Sequence, residues 1–205
     1  VSSKQWFHSA TPVDNPSFDL HIVKNFFDEK TCRELIAEMR ASAASAALTY
    51  GKGDATVDER VRRVRRLSPS PQTVAFVTHQ LDEQREEIGE RFGIRLSGCE
   101  EPQFLCYRAG DFFVAHQDGN TGVVNLESDR TRRISVSIFL NDQSSAPEAD
   151  TYCGGSLVFS DWRNGARHEV TGVAGMWVAF RSELTHEVTP VTYGERFVIV
   201  SWYIV

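Results

Sequence analysis

Residues 112–120 read FFVAHQDGN. An apolar run leads into His116 and Asp118 and stops at Gly119-Asn120, a pair that marks a turn. In an extended strand, residues i and i+2 point to the same face. One imidazole and one carboxylate therefore project side by side where a strand ends, which is how a strand offers two ligands to one metal. The pattern alone is not selective. With six His and 12 Asp in 205 residues, 6 × 12/205 gives about 0.35 such pairs by accident. Its meaning depends on the strands around it and on what the rest of the chain brings beside it.

From residue 94 onward the chain is a series of short β-runs divided by turn residues: QFLCYRA (103–109), FFVAHQD (112–118), RRISVSIFLN (132–141), GSLVFS (155–160), GMWVAF (175–180), THEVTPV (185–191) and RFVIVSWYIV (196–205). Short strands at this spacing predict a sandwich or jelly roll. NDQSSAPEADTYCGG (141–155) reads as a polar loop between strands. Before residue 94 the pattern differs. FDLHIVKNFF (18–27) is β-rich. Residues 28–48 read as a helix, with Asp28 as N-cap and Cys32, Leu35, Ile36 and Met39 at helical spacing. A second helix is predicted over about 70–92, opened by Ser70-Pro71. Between them, TYGKGDATVDE (49–59) reads as a mobile loop with Gly51 and Gly53, a candidate lid, followed by the arginine-rich RVRRVRRLSPSP (60–71). The expected fold is α+β: one domain over 1–205, with helical support at about 18–93 and a β-core at about 94–205.

The composition sets limits. The 205 residues suit a single domain, and 41% hydrophobic with 24% charged residues is ordinary for a globular chain. No apolar run reaches 18 residues, so no membrane span is expected. A net charge of −6 argues against a nucleic-acid binder. Cys32, Cys99, Cys106 and Cys153 form no Cys-x-x-Cys pair and read as reduced thiols. VSSKQWFHSA at the start has neither the apolar stretch of a signal peptide nor an initiator Met, so the expectation is a trimmed or processed cytoplasmic chain.

A second histidine, His186, sits in the late β-run ELTHEVTPV, 68 residues after Asp118, enough for antiparallel strands to return beside the first. Two His and one carboxylate on one face, with open coordination positions, is the facial triad of non-haem Fe(II) oxygenases. Ten residues beyond His186 comes Arg196. A guanidinium facing the same interior pairs bidentately with a carboxylate that extends past the metal. A dicarboxylic 2-oxo acid meets both demands.

His116-x-Asp118, His186 and Arg196, together with RRISVSIFLN, GGSLVF and HEVTPVTYGERFVIVSWY, resemble the 2-oxoglutarate- and Fe(II)-dependent oxygenases, and within them the prolyl-4-hydroxylase group that includes the oxygen-sensing prolyl hydroxylases. The resemblance covers roughly 18–205 and is most specific over 104–203. It implies a double-stranded β-helix (jelly roll) with supporting N-terminal helices. His116, Asp118 and His186 would be the catalytic iron ligands. Arg196 would bind the far carboxylate of 2-oxoglutarate, assisted by Tyr107 and by Ser135. Trp202 would lie on the substrate side. Phe139 stands where some relatives have Tyr, so one hydroxyl is missing there.

The implied cofactor and cosubstrates are Fe(II), 2-oxoglutarate and O2, with ascorbate as an accessory reductant. The implied reaction is hydroxylation of an unactivated C–H, first of all in a prolyl residue of a peptide or protein. A free amino acid or other small molecule is the alternative substrate, and a cupin-like metal-binding module without catalysis is the alternative class. Asp118 disfavours the halogenase variant, which lacks that ligand. Trp202 disfavours the nucleic-acid demethylases, which carry a second arginine at that place. The cluster Arg60, Arg62, Arg63, Arg65 and Arg66 reads either as a solvated strand face or as a wall that guides substrate, with Arg65 as the substrate contact.

Overall fold

The structure is a computed structural model and describes residues 18–46, 49–51, 54–56, 58–122 and 127–205. The opening strand β1 (Leu20–Val23) leads into α1 (Glu29–Ala41). Asp28 caps this helix by accepting from the Thr31 N–H at 2.7 Å, and Cys32, Leu35 and Met39 form its buried face. Three short strands follow, β2 (Ala43–Ala46), β3 (Thr49–Gly51) and β4 (Asp54–Thr56), then β5 (Arg62–Arg63) and β6 (Arg65–Ser68). The helix read over 28–48 thus ends at Ser42. Pairing of Ala43–Ala46 with Arg65–Ser68 satisfies the backbone along the sheet and overrides the helix preference of the alanines. Residues 49–59, read as an aperiodic loop, contain a β3–β4 hairpin. The expected lid lies in part outside the described residues, as does the N-terminal stretch 1–17.

The predicted second helix is two helices, α2 (Pro71–Glu83) and α3 (Arg85–Phe92), meeting at Gln84. The Ser70 hydroxyl accepts from the Thr73 N–H at 3.3 Å, and Pro71 occupies the first turn, where a missing N–H costs nothing. Gly93 ends α3 in the left-handed conformation, at φ +65°.

The rest of the chain is β7 (Gly98–Cys99), β8 (Gln103–Arg108), β9 (Phe112–His116), the short helix α4 (Glu127–Thr131), β10 (Arg132–Phe139), β11 (Tyr152–Gly154), β12 (Leu157–Asp161), β13 (Ala166–Val170), β14 (Trp177–Arg181), β15 (Thr185–Val188) and the long β16 (Val191–Ile204). The β11 strand falls inside 141–155, which the sequence presents as polar loop. It is recruited by pairing with the first half of β16.

The larger sheet runs β1-β14-β10-β16-β8-β6-β2, with β7 and β11 also on β16. The smaller runs β13-β12-β15-β9-β5. Together they form the expected double-stranded β-helix, with helices supporting the larger sheet. Strands from before residue 94 enter both sheets, so the N-terminal part supplies edges as well as helices.

The larger sheet is buried on both faces, which is why its strands read as nearly continuous apolar runs. Side-chain alternation separates the faces. Phe104, Cys106, Ile134, Val136, Ile138, Phe197, Ile199 and Tyr203 pack in one cluster with the helix residues Leu35, Met39, Leu81 and Ile88. Phe139, Leu157, Phe159, Val178 and Phe180 pack in a second cluster that joins the two sheets, and Leu105, Tyr107, Val188 and Val198 in a third. The β5–β6 segment passes from the smaller sheet, where Arg62 pairs with Phe113, to the larger, where Arg65 pairs with Cys106. Val64, 5% exposed at the crossing, anchors this passage in the interior. Among the described residues, no helix is long and apolar enough to cross a membrane.

Candidate active site

His116 ends β9, Asp118 lies two residues on, and His186 sits in β15, directly opposite His116 in the ladder between these strands. Residues far apart in the chain are therefore neighbours in space. One Asp118 carboxylate oxygen is 3.5 Å from His116 Nε2 and the other is 3.4 Å from His186 Nε2. Ligand atoms of all three residues lie within 4.8 Å of one another.

The backbone fixes the orientation of both rings. His116 Nδ1 is 2.8 Å from the Val114 carbonyl, and His186 Nδ1 is 2.9 Å from the Leu184 carbonyl. A carbonyl can only accept, so each Nδ1 carries a proton and each ring turns its Nε2 to the centre. Two imidazole nitrogens and a carboxylate then converge on one point. That set of acceptors suits a divalent cation, and imidazole with carboxylate suits iron. Burial, followed by the charge of His116, pulls the His186 pKa down to about 4, against the opposing pull of Asp118. The ring is thus neutral near pH 7, the form that binds metal. For Asp118 burial disfavours the charge, but His186 and His116 outweigh it and hold the carboxyl well below the ordinary range. The Trp202 indole acts in the same direction, although its N–H makes no hydrogen bond of ordinary geometry.

Ser135 meets the site through Asp118. Its hydroxyl donates to Asp118 Oδ2 at 2.7 Å and lies 3.0 Å from the Ser182 hydroxyl. The Ser182 carbonyl accepts from the Asp118 N–H at 2.9 Å. The Ser135 hydroxyl is thus engaged with Asp118, and Ser182, fully buried and unmarked in the sequence, steadies the same residue. Removing such a partner of a ligand weakens metal affinity about 10- to 100-fold. Ser135→Ala is expected to show that loss in an anaerobic Fe(II) titration. Unchanged iron affinity would show that the hydroxyl does not position Asp118.

Arg196 is 1% exposed, and among the described residues it has no carboxylate within ion-pair distance. Its guanidinium lies 5.1 Å from the Tyr107 ring centroid and 5.0 Å from that of Phe139. The Tyr107 ring therefore meets Arg196 itself. Gly155, at φ +62°, leaves room for the arginine: a Cβ there would come within 3.2 Å of Arg196 Cδ and 2.8 Å of Val191 Cγ2. Sequence reasoning missed Tyr152, fully buried on β11, because it lies in the segment read as polar loop. Burial raises its pKa and the adjacent Arg196 lowers it, yet its hydroxyl has no hydrogen bond of ordinary geometry. Its hydroxyl and the Phe139 ring both border Gly172.

A cavity of about 530 Å³ joins these groups, with His116, Asp118, His186, Tyr107, Arg196 and Trp202 in its lining. Trp202 is 7% exposed and carries the Arg132 guanidinium on its ring at 3.6 Å. Arg132 in turn donates two hydrogen bonds to Glu100, at 2.6 and 2.7 Å. Arg65 is absent from this lining. It shares the register of Cys106 and Leu67 faces the helix cluster two residues on, whereas Arg66, opposite Leu105, reaches the cavity together with Arg62.

A jelly roll holding a two-His, one-carboxylate cluster beside a buried arginine defines the non-haem iron oxygenase class. Residues 102–204 match the family model of the 2OG-Fe(II) oxygenase superfamily, and the chain belongs to that family. It is 37% identical over 102 residues to a PKHD-type hydroxylase of Paracoccus denitrificans, a match covering 49% of this chain and 41% of that protein. The stretch shared with such relatives is thus less than half their length. A PKHD-type hydroxylase of Hyphomonas neptunium is 30% identical over 193 residues, covering 88% of this chain and 76% of that one. Among solved structures, a Pseudomonas putida prolyl-4-hydroxylase superposes with TM-score 0.67 at 24% identity, covering 92% of this chain and 94% of its own. A Trichoplax adhaerens prolyl hydroxylase, in complex with a hypoxia inducible factor peptide fragment, superposes with TM-score 0.71 at 18% identity, covering 92% and 84%. Both structures share the fold.

Proposed function

We propose that this chain is a 2-oxoglutarate- and Fe(II)-dependent dioxygenase that hydroxylates an unactivated C–H of a prolyl residue in a peptide or protein. The observation that carries the reading is Arg196, a buried cation with no carboxylate partner among the described residues, in the same cavity as the triad. An unpaired buried charge is costly, so such a site calls for an anionic ligand.

In this reading His116, Asp118 and His186 hold Fe(II) on one face. Arg196 receives the far carboxylate of 2-oxoglutarate, with the Tyr107 and Phe139 rings holding the guanidinium in place and Tyr152 beside it. Bound iron with O2 and 2-oxoglutarate supplies the oxidation, in which the oxo acid becomes succinate and CO2 while one oxygen atom enters the substrate. The protein orients these partners and keeps bulk water out through the apolar interior around Leu157, Val188 and Val198. The names of the similar proteins, several of them prolyl hydroxylases, support proline as the target. Four free thiols, three of them buried, suit a reducing compartment and support a cytoplasmic placement.

The test is succinate release that depends on Fe(II) and 2-oxoglutarate, read together with mass spectrometry over proline-containing peptides and free amino acids. Succinate with a +16 Da shift on a prolyl peptide is the expected result. Metal binding without any 2-oxoglutarate turnover would instead identify a non-catalytic cupin-like module.

A further inference from the structure

The passage of the chain between the two sheets leaves cations that the oxygenase chemistry does not use. Arg62 and Arg66 line the central cavity. A second cavity of about 460 Å³ is lined by Arg62, Arg63, Arg65 and Arg108, with Glu59 and Asp111 as its carboxylates. Ser45 and Arg62 line both cavities, so the two spaces adjoin at these residues.

Neither acid of the second cavity pairs with Arg63 or Arg65. Asp111 is engaged by the Arg108 backbone N–H at 2.8 Å, and the Arg108 side chain pairs with Glu195 at 2.9 Å. Arg63 and Arg65 have no carboxylate within 4 Å among the described residues, and Arg66 reaches Glu101 only at 3.9 Å. The Arg63 guanidinium instead lies over the Phe112 ring at 5.8 Å, an arrangement that holds it without consuming its N–H donors.

We propose that this second cavity is a subsite for acidic side chains of a peptide whose target residue sits over the triad. The proposal rests on the oxygenase reading and narrows its substrate to acidic peptides. The central cavity alone would hold a free amino acid. A neighbouring basic cavity is reached only by an extended ligand. A nucleic acid fits less well. Its evenly spaced phosphates would meet Glu59, Asp111 and Glu101 among the arginines, and the chain as a whole carries −6.

The test uses short labelled peptides with a central proline, flanked on one side by Asp and Glu or by Lys, and reads binding by fluorescence anisotropy with the Fe(II)- and 2-oxoglutarate-loaded protein under anaerobic conditions. The acidic peptide is expected to bind about tenfold tighter, an advantage that shrinks as salt is raised. The charge-reversed protein, Arg63→Glu with Arg65→Glu, is expected to prefer the lysine peptide. Tighter binding there also shows that the variant is folded. Equal binding of the two peptides by the unaltered protein overturns the proposal, whatever the variant does. So does tighter binding of a single-stranded oligonucleotide than of the acidic peptide. Turnover of 2-oxoglutarate measured without peptide keeps the two questions apart. Its absence would sink the oxygenase reading, whereas its presence with no peptide preference would sink only the acidic subsite.

Discussion

Replacing Arg196 by Met is expected to raise the 2-oxoglutarate concentration needed for half-maximal succinate formation by about 30-fold to several thousand-fold. Methionine cannot form the charge-assisted, fork-shaped pairing that a guanidinium makes with a carboxylate in a dry pocket, and truncating such a pair costs about 2–5 kcal/mol. At roughly 1.4 kcal/mol per tenfold, that cost gives the stated range. Arg196→Lys keeps the charge but loses the planar fork and the fit between the Tyr107 and Phe139 rings, so its rise is smaller. Iron affinity stays unchanged in both variants, since Arg196 is not a member of the His-Asp-His cluster. A Met variant with the parent's 2-oxoglutarate dependence would mean that the anchor is another residue. Arg181, on β14, is no substitute. It donates to the Phe92 carbonyl at 2.9 Å and lies over the Phe92 ring, in the helix layer.

The second large effect is expected at Asp118. Asp118→Ala removes the one carboxylate that faces both Nε2 atoms. A catalytic metal is worth several kcal/mol, so Fe(II)-dependent succinate formation is expected to fall by about a thousandfold or more. The fold is retained, because the residue follows the end of β9 and its backbone N–H still reaches the Ser182 carbonyl. Circular dichroism and the midpoint of thermal unfolding check the second half of this expectation. Succinate formation checks the first, and turnover at the parent rate would remove Asp118 from the metal site.

The His116–Asp118 pair is legible in the sequence because its geometry is local, whereas His186 is legible only through the resemblance and the strand order. The period of two places His116 and Asp118 together, and Gly119-Asn120 marks where the strand gives way to a turn. Arg196 is harder. RFVIVSWY is apolar on both faces of its strand, so alternation says nothing about which side meets the site. The structure separates the two sets: Val198, Val200, Trp202 and Arg196 line the cavity, while Phe197, Ile199 and Tyr203 pack in the helix cluster. Tyr152 is illegible because nothing in a polar stretch signals that it will pair with β16. The Ser135 partner is not legible, since Asp118 and Ser182 lie just past the ends of two other strands that the fold brings beside it. The end of α1 fails for a like reason: an alanine run prefers helix until a distant strand offers it a ladder.

The hydrogen bonds that hold Nδ1 of His116 and His186 go to main-chain carbonyls two residues back, one on the same strand and one just before it. The tautomer of each ring is therefore inherited from the main chain and cannot be lost by substituting a neighbour. A lineage built on this plan is free to exchange the residues that face its substrates while the metal ligands keep their aim. Innovation in what is oxidised is thereby uncoupled from the capacity to oxidise.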